Sequence, residues 1–278
     1  MKLQLGYTPN ADDAYMLFGL LCNKIDTAGL IFEPSPARIT ELNDSASRGI
    51  LDITMVSSAT YPIIQKKYAL CQAGSTFGLS TGPVIVARED LDQTNLTSAT
   101  IAIPGATTTA YAMLQLFNPV LRTRVLPLDK LIPAVEAGLT DCALVIHEEF
   151  VTCKQLGLKI VADLGEWWEK KFALPMPVTN CVVRRDLPAE LQSSICKVLQ
   201  DSINYANTHR EEAVEFAMQY ASGADQSAIE LFISEYVNDL SISMQDSGKN
   251  ALSKFYKLAE SELSYPSVCE KLFCSACK

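Results

Sequence analysis

The chain has 278 residues, 48% of them apolar and 20% charged, a balance that excludes a disordered chain and allows one large domain or two lobes, each with its own core. A net charge of −9 argues against a nucleic-acid partner, because no basic stripe is present to displace phosphate counterions. No window approaches the roughly 18 consecutive apolar residues of a membrane span, and the opening MKLQLGYTPNADD lacks the apolar run of a secretory signal, so a cytoplasmic protein without a membrane partner is expected.

Up to about residue 185, short apolar runs alternate with helical patterns, the mark of an α/β chain with largely parallel strands. Strands are predicted at KLQLGY, LIFEPS, DITMVS, GPVIVARE, ATIAIP, RVLPL, CALVIH, KIVADL and NCVVRR, and helices at ADDAYMLFGLLC, ITELNDSASRG, TAYAMLQLFN and DKLIPAVEAG. Beyond Leu187 the pattern turns to helices alone: residues 188–209, 210–222, 226–239 and 247–263. Their apolar positions recur at three and four, an amphipathic stripe that either covers the core or forms a dimer seam. Two strand-like segments, GPVIVARED and VTNCVVRRD, read as crossings between lobes. They divide the chain into 1–85 plus 185–278 for one lobe and 86–184 for the other, with a ligand cleft between them.

The first strand runs into GYTPNADDAYM, where polar residues precede a helix that opens with Asp12 and Asp13. Caps explain this start, although Thr8 and Asn10 also lie where α/β proteins hold ligands. Ser57 and Ser58 repeat the geometry after DITMV. In IAIPGATTTAYAML, Gly105 and three threonines, Thr107, Thr108 and Thr109, precede an apolar helix; one cap needs one hydroxyl, so the surplus offers a seat for a carboxylate or phosphate. Gly78, Ser80 and Gly82 in STFGLSTGP serve either a turn or the close approach of a ligand.

The chain has two histidines. His209, in ANTHREEA, reads as a solvated surface group. His147 ends the strand CALVIH, and a lone histidine there is most often structural. Its place at the C-terminal end of a strand, followed by Glu148 and Glu149, suits instead a base oriented by a carboxylate. GxSxG and HExxH are absent, which disfavours covalent hydrolases and metalloenzymes. Nine cysteines, at 22, 71, 142, 153, 181, 196, 269, 274 and 277, read mostly as buried thiols. The last three belong to a frayed, reduced tail that lacks the fourth ligand zinc requires. No metal is expected.

Taken together, LGYTPNADDAYM, DITMVSSATY, GPVIVAR, IPGATTTAY, LPLDKLIPAVEAG, ALVIHEEF, LGLKIVADLGEWWEKK, LPMP and VVRRDLP resemble the 1,4-dihydroxy-6-naphthoate synthases of the futalosine route to menaquinone. The resemblance runs in order over most of the chain. It implies a two-lobed, periplasmic-binding-protein-like (type II) α/β fold with a cleft between lobes and C-terminal helices. It also implies a carbon–carbon lyase that takes cyclic dehypoxanthinyl futalosine to 1,4-dihydroxy-6-naphthoate without metal or organic cofactor. The family's histidine base maps onto His147, and its substrate-contacting segments onto Met55, Val56 and Ser57 and onto Thr109 and Ala110.

Three departures stand out. The family's Ser-Pro-Cys-Pro-Asn-Asp-Thr-Phe is TPNADDAY here, close to a DDAF-like variant branch; a lysine is replaced by Met55; an Arg-His pair is replaced by Ala106 and Thr107. Losing both cationic positions leaves fewer charges for a small anionic carboxylate substrate. Two other readings stay open on the same fold: a non-catalytic binding protein for a small anion, and a chorismate dehydratase-like enzyme.

Overall fold

A computed structural model describes residues 1–88, 91, 93–146, 153, 156–221, 225–269 and 271–274. The first third of the chain is β1 (Lys2–Tyr7), α1 (Ala11–Leu21), β2 (Ile31–Pro36), α2 (Ile39–Arg48), β3 (Ile53–Ser57), α3 (Tyr61–Ile64), β4 (Tyr68–Leu70) and β5 (Thr76–Gly78). Next come β6 (Val84–Ala87), β7 (Thr100–Ile103), α4 (Thr109–Phe117), β8 (Arg122–Val125), α5 (Leu131–Glu136), β9 (Cys142–Val145), β10 (Lys159–Asp163) and α6 (Leu164–Phe172). The chain ends with β11 (Met176–Arg184), α7 (Ala189–Thr208), α8 (Arg210–Met218), α9 (Gln226–Tyr236), α10 (Asp239–Ile242) and α11 (Asp246–Leu263).

Two sheets result. The first has the order β2-β1-β3-β11-β4, with β5 also on β11, and the second β10-β6-β9-β7-β8. The chain therefore leaves the first sheet between Gly78 and Val84 and returns between Asp163 and Met176. The returning strand β11 is in the first sheet from Met176 onward, upstream of the boundary near 185 expected from the sequence.

The sheets, expected to be largely parallel, are mixed. In each sheet three strands run parallel, β2-β1-β3 and β8-β7-β9, while β11 and β6 pair antiparallel with β3 and β9. The reason is the direction of entry. Strands joined by crossover helices on one face run parallel. A strand that arrives from the other sheet starts at the end facing it, and so opposes its neighbours.

The apolar stripes of the C-terminal helices face inward. Ile195, Val198, Leu199 and Ile203 of α7 are buried, and Ser202 donates to the Met16 carbonyl at 2.8 Å while accepting from the Leu20 N–H. One core cluster joins Val56, Tyr61 and Phe77 with Met113 and Trp168 of the second half and Phe255 of α11. Helix α6 begins inside the predicted strand KIVADL, where Asp163 caps it by accepting from Gly165 and Glu166 N–H groups.

The described part of the tail, through Cys274, is not frayed. The Leu70 N–H donates to Leu272 O at 2.9 Å and the Cys274 N–H to Leu70 O at 3.0 Å, so residues 272–274 extend the edge of β4. An exposed strand edge offers unpaired backbone groups for such an addition. Tyr61 OH and Arg185 Nη2 donate to the carbonyls of Leu272 and Lys271. Arg184 pairs with Asp52 and Asp186.

Candidate active site

Between the sheets lie two adjoining cavities that share Ile39 and Ile146. The outer one, about 510 Å³, is lined by Thr8, Pro9, Asn10, Arg38 and Thr40 on one side and by Pro104, Gly105 and residues 125–128 on the other, with Tyr220 at its edge. That volume lies within the range of small-molecule sites. The inner one is narrow, about 40 Å³, and mostly apolar; Asp12, Ser57, Thr108, Thr109, Val178 and Tyr236 contribute to it. The C-terminal ends of β1, β3, β7 and β9 all open onto this gap, as ligand sites do in α/β folds.

The polar residues around the gap are held firmly. Asn10 caps α1, its Oδ1 accepting from Asp13 N–H at 3.3 Å. The Thr8 N–H donates to the Asp13 carboxylate at 2.7 Å. Burial, and then the neighbouring Asp12 carboxylate, push the Asp13 carboxyl well above its ordinary value. Burial also raises Tyr7 to about 12. The same cause lifts the Tyr236 phenol, which stays a neutral hydroxyl at the inner cavity.

The three threonines have separate partners. Thr108 is the cap of α4, accepting from Tyr111 N–H at 3.2 Å and donating to Gly105 O at 2.8 Å. Thr109 donates to Val178 O at 2.6 Å and accepts from Ala59 N–H at 3.3 Å. Thr107 Oγ1 accepts from Asn43 Nδ2 at 3.3 Å, and its carbonyl accepts from Thr60 Oγ1 at 3.1 Å. Asn43 also donates to Ser57 Oγ and accepts from Ser57 N–H at 2.9 Å. Thr107 and Thr109 therefore bond across to the first half of the fold and Thr108 is engaged within its own helix start, while Thr108, Thr109 and Ala110 line the inner cavity.

The remaining sequence candidates separate into two groups. Thr8 and Asn10 line the outer cavity and Ser57 the inner one. Met55, Val56 and Ser58 are fully buried and line neither; Met55 and Val56 point into two different core clusters. Strand β3 sends consecutive side chains to opposite faces, so Met55, Val56 and Ser57 cannot all face one ligand. The Ser58 hydroxyl has no hydrogen-bond partner among the described residues. His147, with Glu148 and Glu149, lies outside the described residues; the residue before it in the chain, Ile146, lines both cavities. His209 is exposed and stacked on Tyr205 at 3.9 Å.

Sequence reasoning missed Asn43, Tyr236 and Arg38. Among the described lining residues, Arg38 is the one cation of either cavity. It stands at the N-terminus of α2, and its position before a capped helix facing the strand ends was the available signal. Asp129, across the gap, has its carboxyl lowered chiefly by Lys130, with a smaller contribution from Arg38.

Two sheets, exchanged crossing strands and a cleft between them define the periplasmic-binding-protein fold. The alkanesulfonate-binding protein SsuA from Xanthomonas axonopodis pv. citri, bound to MOPS, shares it with a TM-score of 0.73 at 12% identity, over 99% of this chain and 97% of that one. A crystal structure of an Archaeoglobus fulgidus protein gives a TM-score of 0.91 at 35% identity, over 95% and 98% of the two chains. The family model for menaquinone biosynthesis matches residues 3–261. The chain is 31% identical over 266 residues to 1,4-dihydroxy-6-naphtoate synthase of Thermus thermophilus, covering 95% of this chain and 97% of that protein. It is 30% identical over 273 residues to the enzyme of that name from Streptomyces coelicolor, covering 96% and 95%. The chain belongs to the menaquinone biosynthesis family, as one of its enzymes.

Proposed function

We propose that the protein converts cyclic dehypoxanthinyl futalosine to 1,4-dihydroxy-6-naphthoate in the cytoplasm, releasing a sugar-derived fragment, with His147 as the base that removes a proton from the bound substrate. The observation carrying the reading is Ile146, which touches both cavities one residue before that imidazole in the chain. An imidazole titrates near neutrality, and in a narrow apolar gap water does not compete for the proton. The outer cavity has room for a small acid, and Arg38 supplies the charge that Met55, Ala106 and Thr107 do not. The reaction as written draws on no metal or organic cofactor. Among the described residues no helix is long and apolar enough to cross a membrane.

The test is turnover of the cyclic futalosine by the wild type and by His147→Ala. A loss of at least about 100-fold is expected, about 3 kcal/mol of transition-state stabilisation. Unchanged turnover removes His147 from the mechanism. Thermal stabilisation by the substrate without product identifies a binding protein instead, and water loss from supplied chorismate identifies a dehydratase.

A further inference from the structure

Away from the cleft, four thiols converge from distant parts of the chain. Cys71 follows β4, Cys181 lies in the middle of β11, Cys196 is on α7 and Cys274 is on the tail that extends β4. Cys71, Cys181 and Cys274 are buried and Cys196 is half-buried. The Sγ atoms of Cys196 and Cys274 stand 3.4 Å apart. Among the described residues no group of three or more potential ligands is placed to hold a metal ion, so the chemistry open to these sulfurs is with one another.

We infer that Cys196 and Cys274 are an oxidation site, a dithiol that closes to a disulfide and fastens the C-terminal segment to helix α7. Closing the pair requires the sulfurs to approach from 3.4 Å to about 2.05 Å. Cys274 is brought there by backbone, since its own N–H is bonded to Leu70 O at 3.0 Å. Cys196, the less buried of the two, is the sulfur that a small oxidant meets first. With hydrogen peroxide as oxidant, its thiolate attacks one peroxide oxygen, breaking the O–O bond and leaving a sulfenic acid and one water. The Cys274 sulfur then displaces the sulfenic hydroxyl, forming the S–S bond and releasing the second water, so that two thiols and one peroxide become one disulfide and two waters.

The two sulfurs behind the pair serve as its wall. Thiol contacts with Cys181, Cys196 and Cys274, together with burial, hold Cys71 well above its ordinary value. The 3.4 Å approach of the Cys196 and Cys274 sulfurs selects the pair that joins tail to helix, a cross-link between residues far apart in sequence that restricts the unfolded chain.

The experiment treats the full-length reduced protein with hydrogen peroxide, quenches it, counts remaining thiols and maps linked peptides by mass spectrometry. Two of the nine thiols should be lost, in a peptide joining Cys196 to Cys274. The melting temperature should rise and return to its starting value with dithiothreitol. Neither change should occur in Cys196→Ser or Cys274→Ser, while Cys269→Ser should behave as wild type. A link between any other cysteines, stable oxygen addition at Cys196 without a link, or a melting temperature indifferent to oxidation would each overturn the inference.

Discussion

Gly82 and Gly165 meet backbone to backbone where the two chain crossings touch: a Cβ added to Gly165 would lie 2.3 Å from Gly82 N, and one added to Gly82 would lie 2.7 Å from Gly165 N. The first glycine is in the outgoing crossing, and the second is in the first turn of α6, just before the return. No side chain can turn aside to relieve such a contact, because the atoms in the way are main chain. Gly165→Ala should therefore cost about 3 kcal/mol, the upper part of the range for overpacking. Gly29→Ala, which meets nothing within 4 Å but has φ of +76°, should cost only about 1 kcal/mol, for the left-handed backbone. Urea unfolding of both variants checks this; equal losses would show that the crossing is not tightly packed.

Thr109 and Val178 lock α4 to the returning strand. The 2.6 Å bond from the hydroxyl to the carbonyl lies beside the inner cavity, and Thr109 is only 3% exposed. Thr109→Val preserves shape and removes the hydroxyl, leaving the Val178 carbonyl and the Ala59 N–H without their bonds to it. A loss of about 2 kcal/mol is expected. Scattering in solution should also show a larger radius of gyration for the variant if this bond holds the halves together, and an unchanged radius would confine its role to local stability.

Arg38 should govern substrate affinity. As the cation lining the outer cavity, its guanidinium can take a carboxylate through charge-assisted bonds, and removing one such interaction weakens binding about 10- to 100-fold. Arg38→Ala should raise KM by that factor while kcat changes little, and Arg38→Lys should recover only part because the planar fork is lost. A fall in kcat at constant KM would place Arg38 in the chemical step instead.

Asp13 gives the stability a pH dependence of known sign. Its carboxyl is raised well above 3.8 in the folded chain, by burial first and by Asp12 second. Between 3.8 and the folded value, the native state keeps a proton that the unfolded state has released. The contribution is therefore complete below 3.8 and is lost as pH rises through the folded value. Asp13→Asn is neutral throughout and keeps an acceptor for Thr8 N–H, so its stability relative to wild type should climb with pH across that window. Denaturant titrations at a series of pH values measure the difference, and a flat one would mean that Asp13 is ionised in the folded protein.

Much of the architecture was legible in the amino-acid order. Apolar runs marked the strands of both sheets except the three-residue β4 and β5, Asn10 and Thr108 marked helix starts, and the stripes of α7, α8, α9 and α11 marked the faces that became core. These signals are local, because a strand repeats every two residues and a helix within four. The family segments added the expectation of a base at His147, a residue outside those the structure describes.

What the tertiary structure alone decided lies at long range. Asn43 reaches Thr107 across 64 positions and Thr109 reaches Val178 across 69; neither pairing has a local signature. The same holds for the antiparallel entry of β6 and β11, the tail laid along β4, and Arg38 at the mouth of the cavity. Periodicity tells each segment which face to bury, but the partner it buries against is chosen only when the chain closes on itself, where the cost of closure grows slowly with loop length and distant partners compete on nearly equal terms.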